Sequence, residues 1–354
     1  MKKSLIALAA VAASGAAFAQ SSVTLFGVVD TNITHVRGED NWNGMENGGN
    51  SSSRLGFRGV EDLGNGLKAQ FWLEGGIATD EGTGVGGGAT GPGFEFKRRS
   101  TVSLMGNFGE VRLGRSTTAA YDATSRYDVF GTVGVGQSQQ FGDVIRISNM
   151  VGYYSPDFSG FKLGVNYGFG EVAGDTSGNS YVGAGLTYDN GPLSLGLGYD
   201  RLNDRQLVAA DPDALPPTPA INADMTRWSL GGSYNFGVAK LAAAYTNVSN
   251  KIVGGGDKVK DQDYYIGLSA PVGAAGEAKV AYNRYETKVA GDKAKADQFS
   301  LGYVHNLSKR TAVYGTYAYI KNKDEANFKA LSSKVALKDG EKQHAVQVGI
   351  RHSF

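Results

Sequence analysis

The sequence predicts an all-β protein, a closed antiparallel transmembrane β-barrel of sixteen strands. Three observations carry this expectation. Segments of about ten residues alternate apolar and polar side chains, as a wall needs when one face meets lipid and the other water. The connections between those segments sort into a short and a long class that take turns. The terminal stretch Glu341–Phe354 is itself such a segment, with Val346, Val348, Ile350 and Phe354 on one face and Ala345, Gln347, Gly349, Arg351 and Ser353 on the other. A strand left at an open edge exposes unpaired backbone groups, whereas a barrel seals it against the first strand.

The first element of the chain is a leader. Met1–Ala19 carries Lys2 and Lys3, then the apolar run Leu5–Ala13, then small residues ending in Ala17-Phe18-Ala19. These are the three regions of a cleaved signal peptide, with cleavage expected after Ala19 and the barrel occupying residues 20–354. The apolar run is shorter than the roughly 20 residues that span a bilayer as a helix.

Composition narrows the class further. Absence of cysteine excludes disulfides and cysteine-based metal or nucleophile sites. Without Lys2 and Lys3 the chain has 33 basic side chains against 34 acidic ones, so no basic excess points to nucleic acid. Beyond the leader no stretch approaches the length of a membrane helix, and a chain of this kind crosses a membrane only as a closed barrel.

The strands follow in order. Val23–Val36 places Val23, Leu25, Val29 and Ile33 on one parity. In Ser53–Arg58, Leu55 and Phe57 oppose Arg54 and Arg58. The turn Asp62–Gly66 leads into Leu67–Ala78, where Leu67, Ala69, Phe71 and Leu73 alternate with Lys68, Gln70, Trp72 and Glu74. Six pairs come next: Phe94–Met105 with Glu110–Ser116, Asn149–Pro156 with Phe161–Gly170, Tyr181–Tyr188 with Leu193–Leu202, Met225–Tyr234 with Ala239–Val248, Tyr264–Ala270 with Ala278–Lys288, and Phe299–Val304 with Ala312–Lys321. Their turns are rich in Gly, Asn and Asp, which accept the tight backbone of hairpins. The terminal strand completes an even number, as a barrel with both termini on one side requires.

Short turns such as Asn235–Gly237 alternate with long connections: Asn41–Asn50, Asp80–Gly93, Thr117–Ser148, Asn203–Asp224, Ser249–Asp263 and Lys323–Gly340. That is the asymmetry of short periplasmic turns and long external loops. Sixteen strands enclose water rather than a packed core, which fits polar residues on alternate positions. Phe94, Phe96, Tyr153, Tyr154, Tyr167, Phe169, Tyr188, Tyr199, Trp228, Tyr264, Tyr265 and Phe354 sit near strand ends, where interfacial girdles are expected.

Several stretches together carry a resemblance. They are Ser22–Gly27, Ser53–Gly64, Arg99, Phe108–Arg115, Tyr153-Tyr154-Ser155-Pro156 and the final Phe354. With them the chain resembles a general diffusion porin of the trimeric Gram-negative type, nearest to the branch found in betaproteobacteria. The resemblance implies a homotrimer in the cell outer membrane, among outer-membrane lipid and lipopolysaccharide, passing ions and small hydrophilic solutes. It also implies that the third external loop, here 117–148, folds inward to narrow the pore. Parity supplies pore residues independently: Arg54, Arg58 and Arg99 face the lumen, and Arg146 closes the long loop. These resemble the arginine cluster lining one wall of the family's constriction, and Asp122, Asp128 and Asp143 would form the facing acidic wall. Lys68, Glu74, Arg112 and Arg351 read as ordinary lumen or rim charges. Opposed charges across a narrow opening set up a transverse field that sorts solutes by charge.

No enzyme signature competes with this reading. His35, His305, His344 and His352 show no metal-ligand spacing, and no G-x-S-x-G elbow occurs. The glycine run Gly82–Gly91 fits a dinucleotide fingerprint only formally, because no helix follows it. No cofactor is expected. A passive water-filled pore leads, with a substrate-selective channel and a surface adhesin or receptor barrel as alternatives on the same fold.

Overall fold

The computed structural model describes residues 22–85, 93–138, 144–208, 221–330, 335 and 337–354. The expected leader at 1–19 and Asp143 lie outside the described residues. The strands are β1 (Ser22–Arg37), β2 (Arg54–Gly64), β3 (Leu67–Ala78), β4 (Arg99–Gly106), β5 (Gly109–Thr117), β6 (Arg146–Tyr154), β7 (Phe161–Gly168) and β8 (Tyr181–Asn190). They continue as β9 (Leu193–Val208), β10 (Ile221–Asn235), β11 (Lys240–Ile252), β12 (Lys258–Val272), β13 (Gly276–Val289), β14 (Asp292–Asn306), β15 (Thr311–Lys323) and β16 (Lys342–Ser353). Each pairs antiparallel with its neighbour. Closure comes from β16 against β1, in register from Val28↔Ser353 to Arg37↔His344. Two shorter strands are additions at the external rim, Asn41–Asn47 on the upper half of β1 and Thr83–Val85 on β3.

Alternation decides which face each residue takes. Outward positions such as Val23, Ile33, Leu301 and Val348 are more than half exposed, with relative accessibilities of 65%, 67%, 56% and 59%. In water so much apolar surface on every strand would drive aggregation, and in hydrocarbon it is the solvated face. Inward positions carry polar side chains, among them Asp30, Asn32, Thr34, Asn166, Asp200, Arg227, Ser229 and Gln347, all buried.

Several boundaries differ from the sequence expectation. The external ends of β9 to β12 run well past the alternating cores, so residues 203–208 and 221–224 of one expected connection, and 249–252 and 258–263 of another, are strand. Their polar residues extend the ladder because backbone pairing, not hydrophobicity, sustains a strand above the bilayer. The strand expected from Phe94 begins only at Arg99, after an irregular approach. Tyr154 and Tyr265 face the lumen rather than a girdle: Tyr154 bonds Asn166 and stacks on Arg112, and Tyr265 is buried under the inward loop. Position near a strand end suggested a girdle, but parity sends each inward beside an outward neighbour.

After β5 the chain turns into the barrel. Thr118 caps a short helix α1 (Ala119–Thr124), accepting from the Tyr121 N–H at 3.2 Å. The Ala119, Ala120 and Ala123 side of α1 lies on a stretch of wall bared by glycine. A Cβ on Gly185 would come within 2.0 Å of the Ala119 carbonyl oxygen, and one on Gly196 within 2.2 Å of the Ala123 carbonyl oxygen. Only bare backbone lets the helix lie this close. Further along, Val129 N–H donates to the Tyr265 hydroxyl at 2.8 Å, and Val135 N–H to Gln347 Oε1 at 3.4 Å. Val135 also packs among Val36, Ala318, Ile320 and Ala345 with Ala330 and Val335 of the last loop, so that loop too bends over the lumen. Gly196→Leu should push α1 off the wall at about 1–3 kcal/mol. The barrel should still form and single-channel conductance should drop; an unchanged conductance would refute the packing argument.

Candidate functional site

Narrowing of the lumen brings α1 opposite the inner face of β2 to β6. Two arginine groups line that face. In the first, Glu74 is the anchor: its carboxylate takes Arg98 Nε at 2.6 Å and Trp72 Nε1 at 3.2 Å, with Arg54 Nε 4.0 Å away. Arg146 Nε donates to the Arg98 carbonyl oxygen at 3.0 Å. Arg115 Nε donates to the Lys97 carbonyl oxygen at 2.6 Å. A register shift between Gly114 and Ser116 re-aims Arg115; Gly114 has φ 117°, and any Cβ there would meet the Ser100 carbonyl oxygen at 2.2 Å. Lys97, Arg98, Arg115 and Arg146 thereby line a recess of about 450 Å³.

In the second group Glu110 is the anchor. Arg112 binds it through two nitrogens at 2.8 and 3.0 Å, Ser103 Oγ donates at 2.7 Å, and Arg99 Nη2 lies 3.8 Å away. Aromatic faces hold the guanidiniums flat: Arg99 lies 4.5 Å and Arg58 5.1 Å from the Trp72 ring, and Arg112 lies 4.1 Å from Tyr154. Such stacking fixes a cation's position without neutralising it.

On the facing side, Asp122 of α1 is exposed to the lumen and feels the charges of Arg112, Arg99 and Arg146. Seven arginines (Arg54, Arg58, Arg98, Arg99, Arg112, Arg115 and Arg146) thus meet three carboxylates (Glu74, Glu110 and Asp122), leaving four positive charges in excess. Charge held on a low-dielectric wall beside water projects its field across the opening.

The structure therefore brings Arg54, Arg99, Arg146 and Asp122 together and links Arg58 to them through Trp72. Asp128 lies elsewhere. It is buried beneath the loop, accepting from Phe130 N at 2.8 Å, Ser138 N at 2.9 Å, Thr132 N at 3.1 Å and Tyr265 Oη at 3.3 Å. Burial pushes its carboxyl above the ordinary carboxylate range against the pull of those donors. Its geometry is that of a staple for the loop tip. Asp128→Ala should strand those donors, cost on the order of 3 kcal/mol, and make the open-channel current noisier. Asp128→Asn should do less. Equal, quiet traces from both variants would remove the staple.

Sequence reasoning missed Arg98 and underrated Arg112, Glu74 and Trp72. Arg98 precedes β4, where strand parity no longer applies, and its backbone bend turns it onto Glu74. The available signal was the run Lys97-Arg98-Arg99, since three consecutive cations cannot all face lipid. Among the described residues no group of His, Cys, Asp and Glu could hold a metal ion.

Comparison with known proteins follows the same lines. A profile described as Gram-negative porin matches residues 5–325. Outer membrane porin protein 32 of Delftia acidovorans is 46% identical, with 100% of both chains covered. An outer membrane porin protein of Bordetella pertussis is 34% identical, again over 100% of both. Among solved structures, an anion-selective porin from Comamonas acidovorans superimposes with a TM-score of 0.80 at 43% identity, covering 95% of this chain and 100% of its own. OmpT of Vibrio cholerae, solved in a trimer form, has a TM-score of 0.71 at 18% identity, covering 94% and 99%, a likeness of fold alone.

Proposed function

The chain belongs to the Gram-negative porin family, and from that premise we propose that its outer-membrane channel prefers anions. The channel itself is a porin's: a closed sixteen-stranded barrel in the outer membrane through which small hydrophilic solutes and ions diffuse passively. The preference rests on one observation, the excess of four positive charges at the narrowing, where Arg54, Arg58, Arg99 and Arg146 are among seven arginines that meet three carboxylates. An anion entering there gains Coulomb energy, and a cation of the same size loses it. The resemblance to an anion-selective porin supports the same sign.

Reversal potential across a planar bilayer under a tenfold potassium chloride gradient tests this. Its sign should be that of chloride; a potential of the potassium sign would overturn the proposal. A second reading, preference for multivalent anions, is favoured by the recess between Lys97, Arg98, Arg115 and Arg146. It predicts that a dicarboxylate or sulfate blocks chloride current at millimolar concentration, and absence of block removes it. Assembly as a homotrimer is part of the proposal, supported by a trimer form among structures of the same fold. So is export through cleavage after Ala19.

A further inference from the structure

A buried, uncharged side chain on β7 reaches both walls of the narrowing. Asn166 is 4% exposed and lies on the lumen side of the β6–β7 junction. Its Oδ1 accepts the Ala119 N–H, the first amide of α1, at 2.5 Å, while its Nδ2 donates to the Tyr154 hydroxyl at 3.1 Å. Ala119 opens the helix that carries Asp122. The Tyr154 ring is the plate under Arg112, 4.1 Å away. Arg112 is held in turn by Glu110 at 2.8 and 3.0 Å and by Ser116 Oγ at 3.1 Å, and Glu110 lies 3.8 Å from Arg99. Direct contacts therefore run without a break from the inward helix to two of the constriction arginines.

The junction is cut away around this bridge. Asn166 stands opposite Gly152, and Tyr154 opposite Gly164. A Cβ on Gly152 would come within 2.7 Å of Asn166 Nδ2, and one on Gly164 within 2.9 Å of the Ala119 Cβ. The amide also matches its two partners. It accepts from an N–H on one side and donates to a hydroxyl on the other, whereas an ionised aspartate cannot donate and a leucine can do neither. Other attachments hold the loop independently. Thr118 N–H donates to the Ile145 carbonyl oxygen at 3.0 Å, Arg126 grips Asp189 at 2.9 and 3.0 Å, and the Tyr127 hydroxyl meets Ser194 Oγ at 3.1 Å. Loss of the Asn166 amide should therefore shift α1 without releasing it.

We propose that Asn166 is a positioning residue for ion selectivity, tying α1 with its Asp122 to the plate beneath Arg112 and so setting the spacing of the two charged walls. The proposal rests on the anion preference argued above. Coulomb energy depends on the separation between a passing ion and each wall, so a neutral side chain that fixes the separation tunes selectivity while the number of charges stays the same.

A two-residue cycle tests this, with wild type, Asn166→Leu, Tyr154→Phe and the double variant, each as the full mature protein in a planar bilayer under a tenfold potassium chloride gradient. Tyr154→Phe keeps the ring under Arg112 and removes only the tie. Each single change should lower the anion-over-cation permeability ratio by about threefold, the scale on which one stacked cation is held. The double variant should lie within about twofold of either single, not at the roughly ninefold loss that independent effects would give. Thermal midpoints of the folded barrels are read alongside. Wild-type ratios with lowered midpoints would reduce Asn166 to packing and overturn the proposal, as would effects that multiply. Should leucine prevent folding, Tyr154→Phe alone decides, and an unchanged ratio there overturns the tie. Cation preference in wild type would sink the anion reading, and non-additive shifts across the cycle would still uphold this one.

Discussion

Replacing Asp200 with alanine should cost the barrel about 3–5 kcal/mol, more than any other single truncation on its inner wall. Asp200 on β9 and Arg227 on β10 form a buried pair, with side-chain accessibilities of 0% and 3%. Arg227 Nε lies 2.8 Å from the carboxylate, and the Tyr181 hydroxyl donates to its other oxygen. Arg227 Nη2 also reaches the Val144 carbonyl oxygen at 3.1 Å, which ties the returning stem of the inward loop to the wall. Alanine leaves a guanidinium buried without its counter-charge and frees the stem. Urea unfolding from lipid vesicles reads the loss, and a change under about 1 kcal/mol would show that water reaches Arg227 freely. The double change Asp200→Leu with Arg227→Met should recover most of the stability, because a buried pair replaced by apolar groups is often neutral.

The largest functional effect is expected from Arg98→Gln, Arg99→Gln and Arg146→Gln together. They remove three of the seven arginine charges, cutting the excess from four to one, and leave shorter but still polar side chains. Anion-over-cation permeability should fall by about tenfold or more, the scale on which a charged cleft concentrates counter-ions. At about 1 M salt wild type and variant should converge, since screening then acts within about 3 Å. Arg58→Gln, exposed and further from the two anchoring carboxylates, should change selectivity less. A triple variant with unchanged reversal potential would place the selective charges elsewhere.

Much of this was legible in sequence because a membrane wall imposes a strict period of two. Leu55 and Phe57 could only face lipid, so Arg54 and Arg58 could only face water. The inward course of the third loop is different. It depends on Gly185 and Gly196, distant residues whose lack of side chains is read as flexibility until α1 is seen resting on them. Asp128 reads as one more acidic loop residue, and only the fold reveals four donors converging on it. Arg98 was hidden for a simpler reason: parity ends where the strand does.

The seam between β1 and β16 has a kinetic consequence. It joins Val28 to Ser353 and Asn32 to Gly349, contacts between opposite ends of the chain. Every other junction is a local hairpin, with this one long-range closure left over. Loop-closure entropy and high contact order make it the slow event of folding. Until it happens, both edge strands display rows of unsatisfied amides and carbonyls that would recruit any passing strand. Keeping the two edges apart from other chains until they meet is what such a chain demands of its folding conditions. A mutation that weakens the seam should therefore first appear as poor assembly, in barrels that, once closed, conduct normally.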